Sequence, residues 1–452
     1  MESVLFGLAR GVQFVNMAAE RATLRVMLYL ILFLMMGGGL GAAEPRVVTL
    51  KESVDLALRQ NPDLVVARLD EQKAQLEVQA SREGLLPRFI VGSGLAYTSG
   101  MPMSVEGSAP TVVQARAVRS LYNAPQRRLT EMAREEAAGA GHAADLVRED
   151  IALRTAVLFL DLERFTRAAE LARERVESLR KVEAAVRLRV AEGRELEIEG
   201  KRAAVNLARA KQGAAALGSA RRAQARALAL VLGLEAGQDL HPAGETRVNP
   251  DLPESEEAAV RAALTDHPDL RRIEASIRAK GFEARAHREA RLPKIDLLAQ
   301  YGLLARFNNY DQFFNRYQRH NVQFGASFAI PLFASPADEA RAARAGVEAR
   351  RLRAELEQTR GRIEGRARDA WRQVEDAGLV LEVARADLDL AREQVTVLLA
   401  QAGEGRASLA QVEQARVAEN EKWQELGEAR YGVERARLEL LRSANQLSAA
   451  LR

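Results

Sequence analysis

The residue types that most often carry out chemistry in proteins are scarce in this sequence and do not form a catalytic pattern. The 452-residue chain has no cysteine, which excludes disulfides, thiolate metal ligands and a thiol nucleophile. Its histidines are His142, His241, His267, His287 and His320. None of them has the HExxH spacing of a zinc peptidase, and the sequence contains neither a GxSxG nucleophile elbow nor a GxxxxGK phosphate loop. We therefore predict that the protein is not an enzyme and binds no cofactor or metal.

The charged residues are numerous but nearly balanced. The chain has 66 Lys and Arg residues against 62 Asp and Glu residues, so its net charge is only +4. The two signs are interleaved along the chain rather than clustered, which is typical of solvated helix faces. This pattern gives no reason to expect a nucleic acid partner.

The first 43 residues have the organisation of a signal peptide. Arg25 precedes an apolar run over residues 26–36, and residues 37–43 are mostly small. Small residues after such a run mark a cleavage site, so we predict cleavage near Ala43. The alternative is a single membrane anchor over residues 24–40, because that stretch approaches spanning length.

The elements that must position any functional site are encoded twice. Residues 61–64 read Asn-Pro-Asp-Leu and residues 267–270 read His-Pro-Asp-Leu, a shift of 206 (268 minus 62). A second matched signal follows 25 positions after each of these prolines, Leu86-Pro87 in the first copy and Leu292-Pro293 in the second. A constant shift over several features indicates an internal duplication.

We therefore predict two structural repeats joined by a linker. The first covers residues 44–232 and the second covers residues 256–452, each in the order helix, two strands and long helical hairpin. Residues 233–255 are rich in Gly and Pro and form the predicted linker.

The starts of the shorter helices are marked by capping residues and prolines. Thr49, with Glu52 three residues later, predicts a capping box. Asn61 before Pro62 predicts that one helix ends and another begins, since the residue before proline is pushed out of the helical region. His267 takes the same position in the second copy, where we interpret it as an N-terminal capping residue.

Each repeat then contains a very long outgoing helix and a returning helix. No proline occurs from residue 126 to residue 192, a length that would make a helix on the order of 100 Å long. Apolar residues spaced by four and three predict coiled-coil packing. These seam residues are Leu158, Leu162, Phe165, Ala169, Ala172, Val176 and Leu179 in the first repeat, and Ala384, Leu388, Ala391, Val395, Leu398 and Ala402 in the second. We interpret Gly193 and Gly405, which follow the seams, as the turns into the returning helices.

Between the short and the long helices, the apolar period changes from helical to two, which predicts β-strands. Each stretch is roughly the ten residues that a tilted membrane strand needs. The candidate membrane-strand residues are Phe89, Val91, Leu95, Tyr97, Ile295, Leu297, Tyr301, Val322, Phe324, Phe328 and Ile330.

The strand over residues 112–121 has the weakest pattern of the four. It carries Arg116 and Arg119, and we expect that both cannot face inward without a bulge. Two alternatives follow. Either the strand is shorter and its arginines lie at the membrane interface, or this hairpin is degraded.

In their order, these features resemble the TolC family of outer membrane efflux proteins. The resemblance is carried by Asn61-Pro62, by the Leu-Pro pairs before the first strand of each repeat, by Ile330-Pro331-Leu332-Phe333 and by the Gly193 and Gly405 turns. It covers residues 49–451, nearly all of the predicted mature chain. Each feature is weak by itself, but the ordered and duplicated set is specific.

The resemblance implies a mainly α fold with a membrane β-barrel part. A long coiled-coil helical tunnel would be joined to four strands per chain, which contribute to a shared 12-stranded trimeric barrel. It further implies a homotrimer in the outer membrane lipid of a Gram-negative bacterium, with the helical part in the periplasm. Physical reasoning reaches one part of this unaided, because four strands leave open edges in lipid and several chains must close one barrel.

The resemblance also implies that the two helix turns lie at the periplasmic end and dock a periplasmic adaptor protein, which links the duct to an inner membrane transporter. The candidate docking residues are Glu192, Gly193, Arg194, Glu404, Gly405 and Arg406. The alternative is that the glycines only form turns and the charges only face solvent.

These inferences predict the outer membrane exit duct of a tripartite efflux or secretion system, with passive conduction of substrate from a periplasm-spanning pump to the exterior. The alternative is a soluble periplasmic coiled-coil scaffold protein without channel activity, suggested by the heptads and by a mean hydropathy of −0.21. The alternating strands distinguish the two, because a helical rod has no use for them.

Overall fold

A computed structural model describes most of the chain after the predicted signal peptide. The described residues are 46–94, 111–235, 237–244, 251–304, 318–333, 335–404, 406–407 and 409–451. Helices dominate these residues, as the predicted fold class requires. The predicted signal peptide lies outside the described residues, and so do Leu95, Tyr97 and Gly405.

The first repeat begins with a short strand and two helices and continues through a strand pair into a helical hairpin. Its elements are β1 (Arg46–Val48), α1 (Leu50–Gln60), α2 (Pro62–Ser81), β2 (Arg88–Gly94), β3 (Thr111–Tyr122), α3 (Ala124–Ala191) and α4 (Glu197–Val231). A short 3₁₀ turn, Glu83–Leu85, separates α2 from β2.

The second repeat has the same order of elements. After β4 (Leu240–Pro242), which precedes it in the predicted linker, they are α5 (Glu256–Leu264), α6 (Pro268–Glu289), β5 (Lys294–Leu304), β6 (His320–Ala329), α7 (Pro336–Gly403), α8 (Leu409–Ser443) and the short α9 (Leu447–Ala450). The outgoing helices α3 and α7 both have 68 residues, and the returning helices α4 and α8 both have 35. These equal lengths are the structural counterpart of the duplicated sequence.

The capping box predicted for α1 is present. The hydroxyl oxygen of Thr49 accepts a hydrogen bond from the backbone N–H of Glu52 at 3.1 Å, and the Glu52 carboxylate accepts one from the Thr49 N–H at 3.0 Å. This reciprocal pair satisfies two donors that the helix end leaves free.

Both predicted breaks before proline occur, and the residue before each proline caps the new helix. Asn61 Oδ1 accepts from the backbone N–H of Asp63 at 2.9 Å, and His267 Nδ1 accepts from that of Asp269 at 3.2 Å. Asn61 Nδ2 also donates to the carbonyl of Val231 at 2.8 Å. This second bond ties the start of α2 to the end of α4.

Four strands form one antiparallel sheet in the order β2, β3, β5, β6. The hairpins of the two repeats are joined through β3 and β5, whose register places Ala115 opposite Tyr301 and Ala117 opposite Ala299. The edge strands of this sheet are β2 and β6.

β3 is neither shortened nor unpaired, so the expectation of a shorter strand or a degraded hairpin was wrong, although its register against β5 shifts near both ends, between Thr111 and Val113 and between Ser120 and Tyr122. The strand has 12 residues and pairs with β2 on one side and with β5 on the other. Its register against β5 shows no shift from Arg116 to Arg119. The reason is the period of two: residues three apart lie on opposite faces of a strand, so the two arginines do not compete for one side.

The largest hydrophobic core lies midway along the long helices, where the short elements pack against them. It joins β1, α1 and β4 to the middle of α3 and to the ends of α4 and α8. Its fully buried large side chains include Val54, Leu64, Phe159, Leu162, Leu228, Leu232, Leu240, Leu441 and Leu447. Full burial of each such side chain stabilises the fold by about 1.5–3 kcal/mol, so this cluster holds the two repeats together.

A two-stranded parallel pair connects the start of the described chain to the segment between the repeats. β1 pairs with β4, with Val47 opposite His241. Beside the pair, Arg221 of α4 binds the carboxylate of Asp239 at 3.1 and 3.2 Å. Burial raises the pKa of Asp239, but Arg221 and His241 outweigh it and lower that pKa overall. β4 lies within residues 233–255, the predicted linker.

Both predicted heptad seams are buried in helix pairs. In α3, Leu162, Ala169 and Val176 are buried, and the other seam residues are half-buried. The buried seam residues of α7 are Ala384, Leu388, Ala391 and Val395. Since α3 packs against α4 and α7 against α8, the coiled-coil prediction is confirmed.

We predict that Asn61→Ala lowers the stability of the protein. The substitution removes the cap of α2 and leaves the buried Val231 carbonyl without its donor. The free energy of unfolding should fall by about 1–3 kcal/mol, measured by denaturant titration of the purified protein. Asn206→Ala is the control, because Asn206 is exposed on α4 and should change stability by less than about 0.5 kcal/mol. An equal loss of unfolding free energy in the two variants would contradict the capping role of Asn61.

Candidate functional site

One face of the four-stranded sheet consists almost entirely of apolar side chains. The register aligns Phe89, Ala117, Ala299 and Phe324 in one row across all four strands. We call this side the apolar face. Its members are Phe89, Val91, Val113, Ala115, Ala117, Tyr122, Ile295, Leu297, Ala299, Tyr301, Leu303, Val322, Phe324, Ala326 and Phe328, with Arg119 and His320 as its charged and polar members.

The large side chains of the apolar face are exposed in the single chain. Phe324 is 82% exposed, Phe89 79% and Phe328 62%. Next to the sheet, Leu332 and Phe333 are 84% and 87% exposed. A contiguous apolar surface of this kind marks a region that a membrane or another protein covers.

Eight of the predicted strand residues lie on the apolar face of the sheet. Those on the apolar face are Phe89, Val91, Ile295, Leu297, Tyr301, Val322, Phe324 and Phe328. Ile330 follows the last residue of β6. Leu95 and Tyr97 are outside the described residues.

The opposite side of the sheet, which we call the polar face, has mostly small, polar and charged side chains, together with the apolar Ile90, Val118 and Leu298. Its members are Arg88, Ile90, Gly92, Gln114, Arg116, Val118, Ser120, Lys294, Asp296, Leu298, Gln300, Gly302, Asn321, Gln323, Gly325 and Ser327. Lys294 Nζ lies 3.0 Å from Asp296 Oδ2, so these two charges pair with each other. A sheet with this division separates an apolar surrounding from an aqueous one.

The strands have the length of an apolar bilayer core. β5 has 11 residues. At about 3.4 Å per residue and a tilt of about 40°, it rises about 28 Å, close to the roughly 25 Å apolar band of outer membrane barrels. At the loop end of the apolar face, Tyr301 Oη lies 2.8 Å from His320 Nδ1.

The first predicted tip is a tight turn between α3 and α4. Gly193 has a φ of +72°, a conformation that favours glycine. The backbone N–H of Arg194 donates to the carbonyl of Arg189 at 2.8 Å and that of Gly193 to Val190 at 3.0 Å, which closes the helix end in a Schellman motif. Arg194 Nη1 also lies 3.2 Å from Glu192 Oε2.

The described residues of the second tip share two contacts with the first. The backbone N–H of Arg406 donates to the carbonyl of Gln401 at 2.8 Å, the same spacing as in the first turn. Arg406 Nη1 lies 3.2 Å from Glu404 Oε2. Each tip therefore pairs the acidic and the basic residue that the sequence singled out, and all four charged side chains are largely solvent-exposed.

Apolar residues around the first tip were missed by the sequence reasoning. Leu188 is 61% exposed, Leu196 69% and Ile198 54%. The available signal was that Leu188 lies outside the heptad seam of α3 and that Leu196 and Ile198 flank the turn. Together with Glu192 and Arg194, they give this tip a mixed apolar and charged surface suited to binding another protein.

The histidines occupy separate places in the structure. His142 lies on α3, His241 beside Asp239, His267 at the start of α6, His287 3.4 Å from Asp338, and His320 beside Tyr301. Across the described ranges, no group of three or more His, Asp or Glu side chains is arranged to hold a metal ion. Burial lowers the pKa of His267, and Arg442 and Arg366 lower it further while Asp269 opposes them.

No helix within the described part of the chain is both long enough and apolar enough to cross a bilayer.

The sequence matches the family described as outer membrane efflux protein over residues 53–234 and 259–446. A search of curated protein sequences found no significant match.

Solved structures with a similar fold are outer membrane or membrane proteins of several bacteria. A membrane protein from Pseudomonas aeruginosa has 18% identity and a TM-score of 0.70, over 87% of this chain and 92% of that one. The Campylobacter jejuni outer membrane channel CmeC has 15% identity and a TM-score of 0.71, over 88% and 85%. The Vibrio cholerae outer membrane protein VceC has 15% identity and a TM-score of 0.69, over 88% and 96%. At such identities the likeness is one of fold, and it confirms the predicted fold class.

We predict that His267 makes stability depend on pH. Its lowered pKa means that the unfolded chain takes up the proton first, so stability is complete above the unfolded pKa of about 6.5 and is lost as pH falls from there through the folded pKa. Protonated Nδ1 also cannot accept the Asp269 N–H. Denaturant titrations at pH 7.5 and 5.5 should show a smaller pH-dependent loss in His267→Asn, which keeps a capping side chain as Asn61 does. An unchanged pH dependence would contradict this.

Proposed function

This chain belongs to the outer membrane efflux protein family, and on that premise we propose that it forms the outer membrane exit duct of a tripartite efflux or secretion system. The duct conducts substrate passively from the periplasm-spanning pump to the exterior. Energy is supplied by an inner membrane transporter, to which a periplasmic adaptor protein couples the duct. The protein resides in the outer membrane of a Gram-negative bacterium, with its helical part in the periplasm.

The observation that carries this proposal is the division of the four-stranded sheet into an apolar and a polar face. Strands that separate lipid from water need large apolar side chains on one side and small or polar ones on the other. The sheet of this chain meets that requirement best in β6, with Phe324 on the apolar face and its neighbours Gln323 and Gly325 on the polar one.

The two edge strands support a closed assembly of several chains. In lipid, each unpaired backbone N–H or C=O costs several kcal/mol, so β2 and β6 need partners. In a homotrimer, β6 of one chain pairs with β2 of the next. Twelve strands about 4.8 Å apart and tilted by about 40° enclose a barrel about 12 Å in radius at the backbone, which leaves a water-filled lumen.

The long helices supply the periplasmic part of the duct. α3 and α7 each have 68 residues, which corresponds to about 100 Å at 1.5 Å per residue. Each helix begins next to the sheet with a proline in its first turn. The helices therefore continue directly from the strands and carry the lumen away from the membrane.

The tips of the helical hairpins are the proposed adaptor contacts. We propose Glu192, Gly193 and Arg194 at the first tip, and Glu404, Gly405 and Arg406 in the second copy, as the contacting residues. The exposed Leu188, Leu196 and Ile198 beside the first tip supply apolar contact area for the adaptor. The alternative function, a soluble coiled-coil scaffold, does not explain the exposed apolar side of the sheet.

We predict that Phe324→Arg blocks assembly in the outer membrane, whereas Gln323→Arg does not. Phe324 lies near the middle of β6 on the apolar face, and an arginine facing lipid there costs about 2–4 kcal/mol. Gln323 is the adjacent residue on the polar face, where an added charge meets water. Fractionation and native electrophoresis should show trimers in outer membranes for wild type and Gln323→Arg and a strong loss for Phe324→Arg.

The same preparations test the duct itself. Reconstituted wild-type and Gln323→Arg proteins should open ion-conducting channels in planar bilayers. A monomeric wild-type protein, a cytosolic location or the absence of any conductance would contradict the proposed function. Equal tolerance of both substitutions would contradict the assignment of the two faces.

We predict that a cysteine at the first tip crosslinks to an adaptor. The natural chain has no cysteine, so Arg194→Cys introduces a single thiol, at a position whose native side chain is 76% exposed. A thiol-reactive crosslinker in intact cells should then give an adduct with a periplasmic protein. Arg209→Cys is the control, because Arg209 is also exposed but lies on α4 about 20 Å from the tip. Equal adducts at both positions, or none at position 194, would favour the solvent-facing alternative.

A further inference from the structure

Among the described residues, the polar face of the sheet carries more basic than acidic side chains. Resting on the function proposed above, we propose that Arg116 forms a cationic ring in the barrel lumen that favours the passage of anions, in particular solutes with carboxylate or phosphate groups. Guanidinium groups suit such ligands because they present a planar fork of donors to two oxygens at once.

The register places Arg116 in the middle of the sheet on the polar face. Its row across the four strands is Ile90, Arg116, Gln300 and Gln323. These neighbours are neutral, and Gln300 and Gln323 are polar. One row further toward the loops, the face is occupied by Gly92, Gln114, Gly302 and Asn321. Gly92 and Gly302, diagonal to Arg116 on the two neighbouring strands, have no side chain to cover its guanidinium, and Arg116 is exposed in the single chain.

No acidic side chain in the described part of the chain forms an ion pair with Arg116 or with Arg88. Asp296 is the acidic residue of the polar face, and its carboxylate is already paired with Lys294 at 3.0 Å. The polar face therefore has three cationic side chains, Arg88, Arg116 and Lys294, against one acidic side chain, a net charge of +2 per chain.

The segments that connect the strands do not supply the missing negative charge. Residues 95–110 contain Glu106, and residues 305–317 contain Arg306, Asp311 and Arg316. Two acidic and two basic residues sum to zero. The excess positive charge of the polar face is thus retained in the sum over both hairpins.

Arg88 adds to the effect of Arg116. It pairs with Val118, two residues from Arg116 on the same face. Diagonal neighbours of this kind are about 7–8 Å apart on adjacent antiparallel strands, so both guanidinium groups act on the same stretch of lumen. In the trimer, the two positions supply six positive charges.

The size of the barrel makes these charges effective. In a barrel about 12 Å in radius, long arginine side chains bring their charges to within about one Debye length of the axis, about 8 Å at physiological ionic strength. An ion on the axis therefore senses all three copies of Arg116. Screened interaction with three charges at that distance enriches monovalent anions about threefold and depletes cations by a similar factor.

Arg119 provides a matched comparison within the same strand. It lies three residues from Arg116 and on the apolar face, opposite Leu297. Its charge lies on the side of the sheet away from the lumen. The two arginines share residue type and strand and differ in the face that they occupy.

The test is the ion preference of single channels in planar bilayers under a KCl gradient. The zero-current potential gives the ratio of chloride to potassium permeability. Arg116→Gln should lower this ratio at least about threefold, and Arg116→Glu should lower it further and in the same direction. Arg88→Gln should also lower the chloride-to-potassium permeability ratio, without a change at Arg116. Arg119→Gln should leave the ratio of wild type unchanged.

The outcomes separate this inference from the proposed function. Conducting channels whose ratio is the same in wild type, Arg116→Gln and Arg116→Glu would overturn the cationic ring while leaving the duct intact. An equal decrease of the chloride-to-potassium permeability ratio in Arg119→Gln would overturn the assignment of Arg116 and Arg119 to opposite faces, on which the ring depends. Absence of channels in the wild-type protein would overturn the proposed function and the ring with it.

Discussion

A backbone N–H or C=O in an apolar surrounding needs a hydrogen-bond partner, and this requirement determines more of the proposed assembly than any side chain does. The helices satisfy it internally, and β3 and β5 satisfy it within the chain. The outer backbone groups of β2 and β6 have no partner strand within the described part of the chain. A barrel made from four strands per chain therefore needs further copies of the chain to pair with these edges. The transitions out of the sheet follow the same rule, because Pro125 and Pro336 stand in the first turns of α3 and α7, where a missing N–H costs nothing.

Much of the fold could be predicted from the sequence because its signals are local. Thr49, Asn61 and His267 cap helices by hydrogen bonds to residues two or three positions away. The heptad seams predict which side of each long helix is buried. The strand alternation likewise predicted the apolar side of β5 and β6. Each of these inferences depends on spacing within one element, which a sequence shows directly.

The errors and omissions concern relations between elements. The expectation for Arg116 and Arg119 overlooked that residues three apart lie on opposite faces of a strand, and only the pairing with β2 and β5 shows that β3 is intact. The exposed Leu188 and Leu196 were missed for a similar reason, since apolar residues outside a seam gain meaning only when the helix partner is known. The pairing of Glu192 with Arg194 and of Glu404 with Arg406 likewise needed the turn geometry.

The equal lengths of the paired helices restrict how this fold can change during evolution. Seven residues inserted into α3 alone would move its turn by about 10 Å relative to the turn that follows α7. An insertion that is not a multiple of seven would also rotate the buried seam away from its partner. A viable lengthening must therefore add whole heptads to α3, α4, α7 and α8 together. The sequence shift grows from 206 at the first prolines (268 minus 62) to 211 at the prolines that open the long helices (336 minus 125), which places most of the tolerated length change between those points. The strands and loops can therefore change in length during evolution. The length of the helical part, in contrast, stays almost constant.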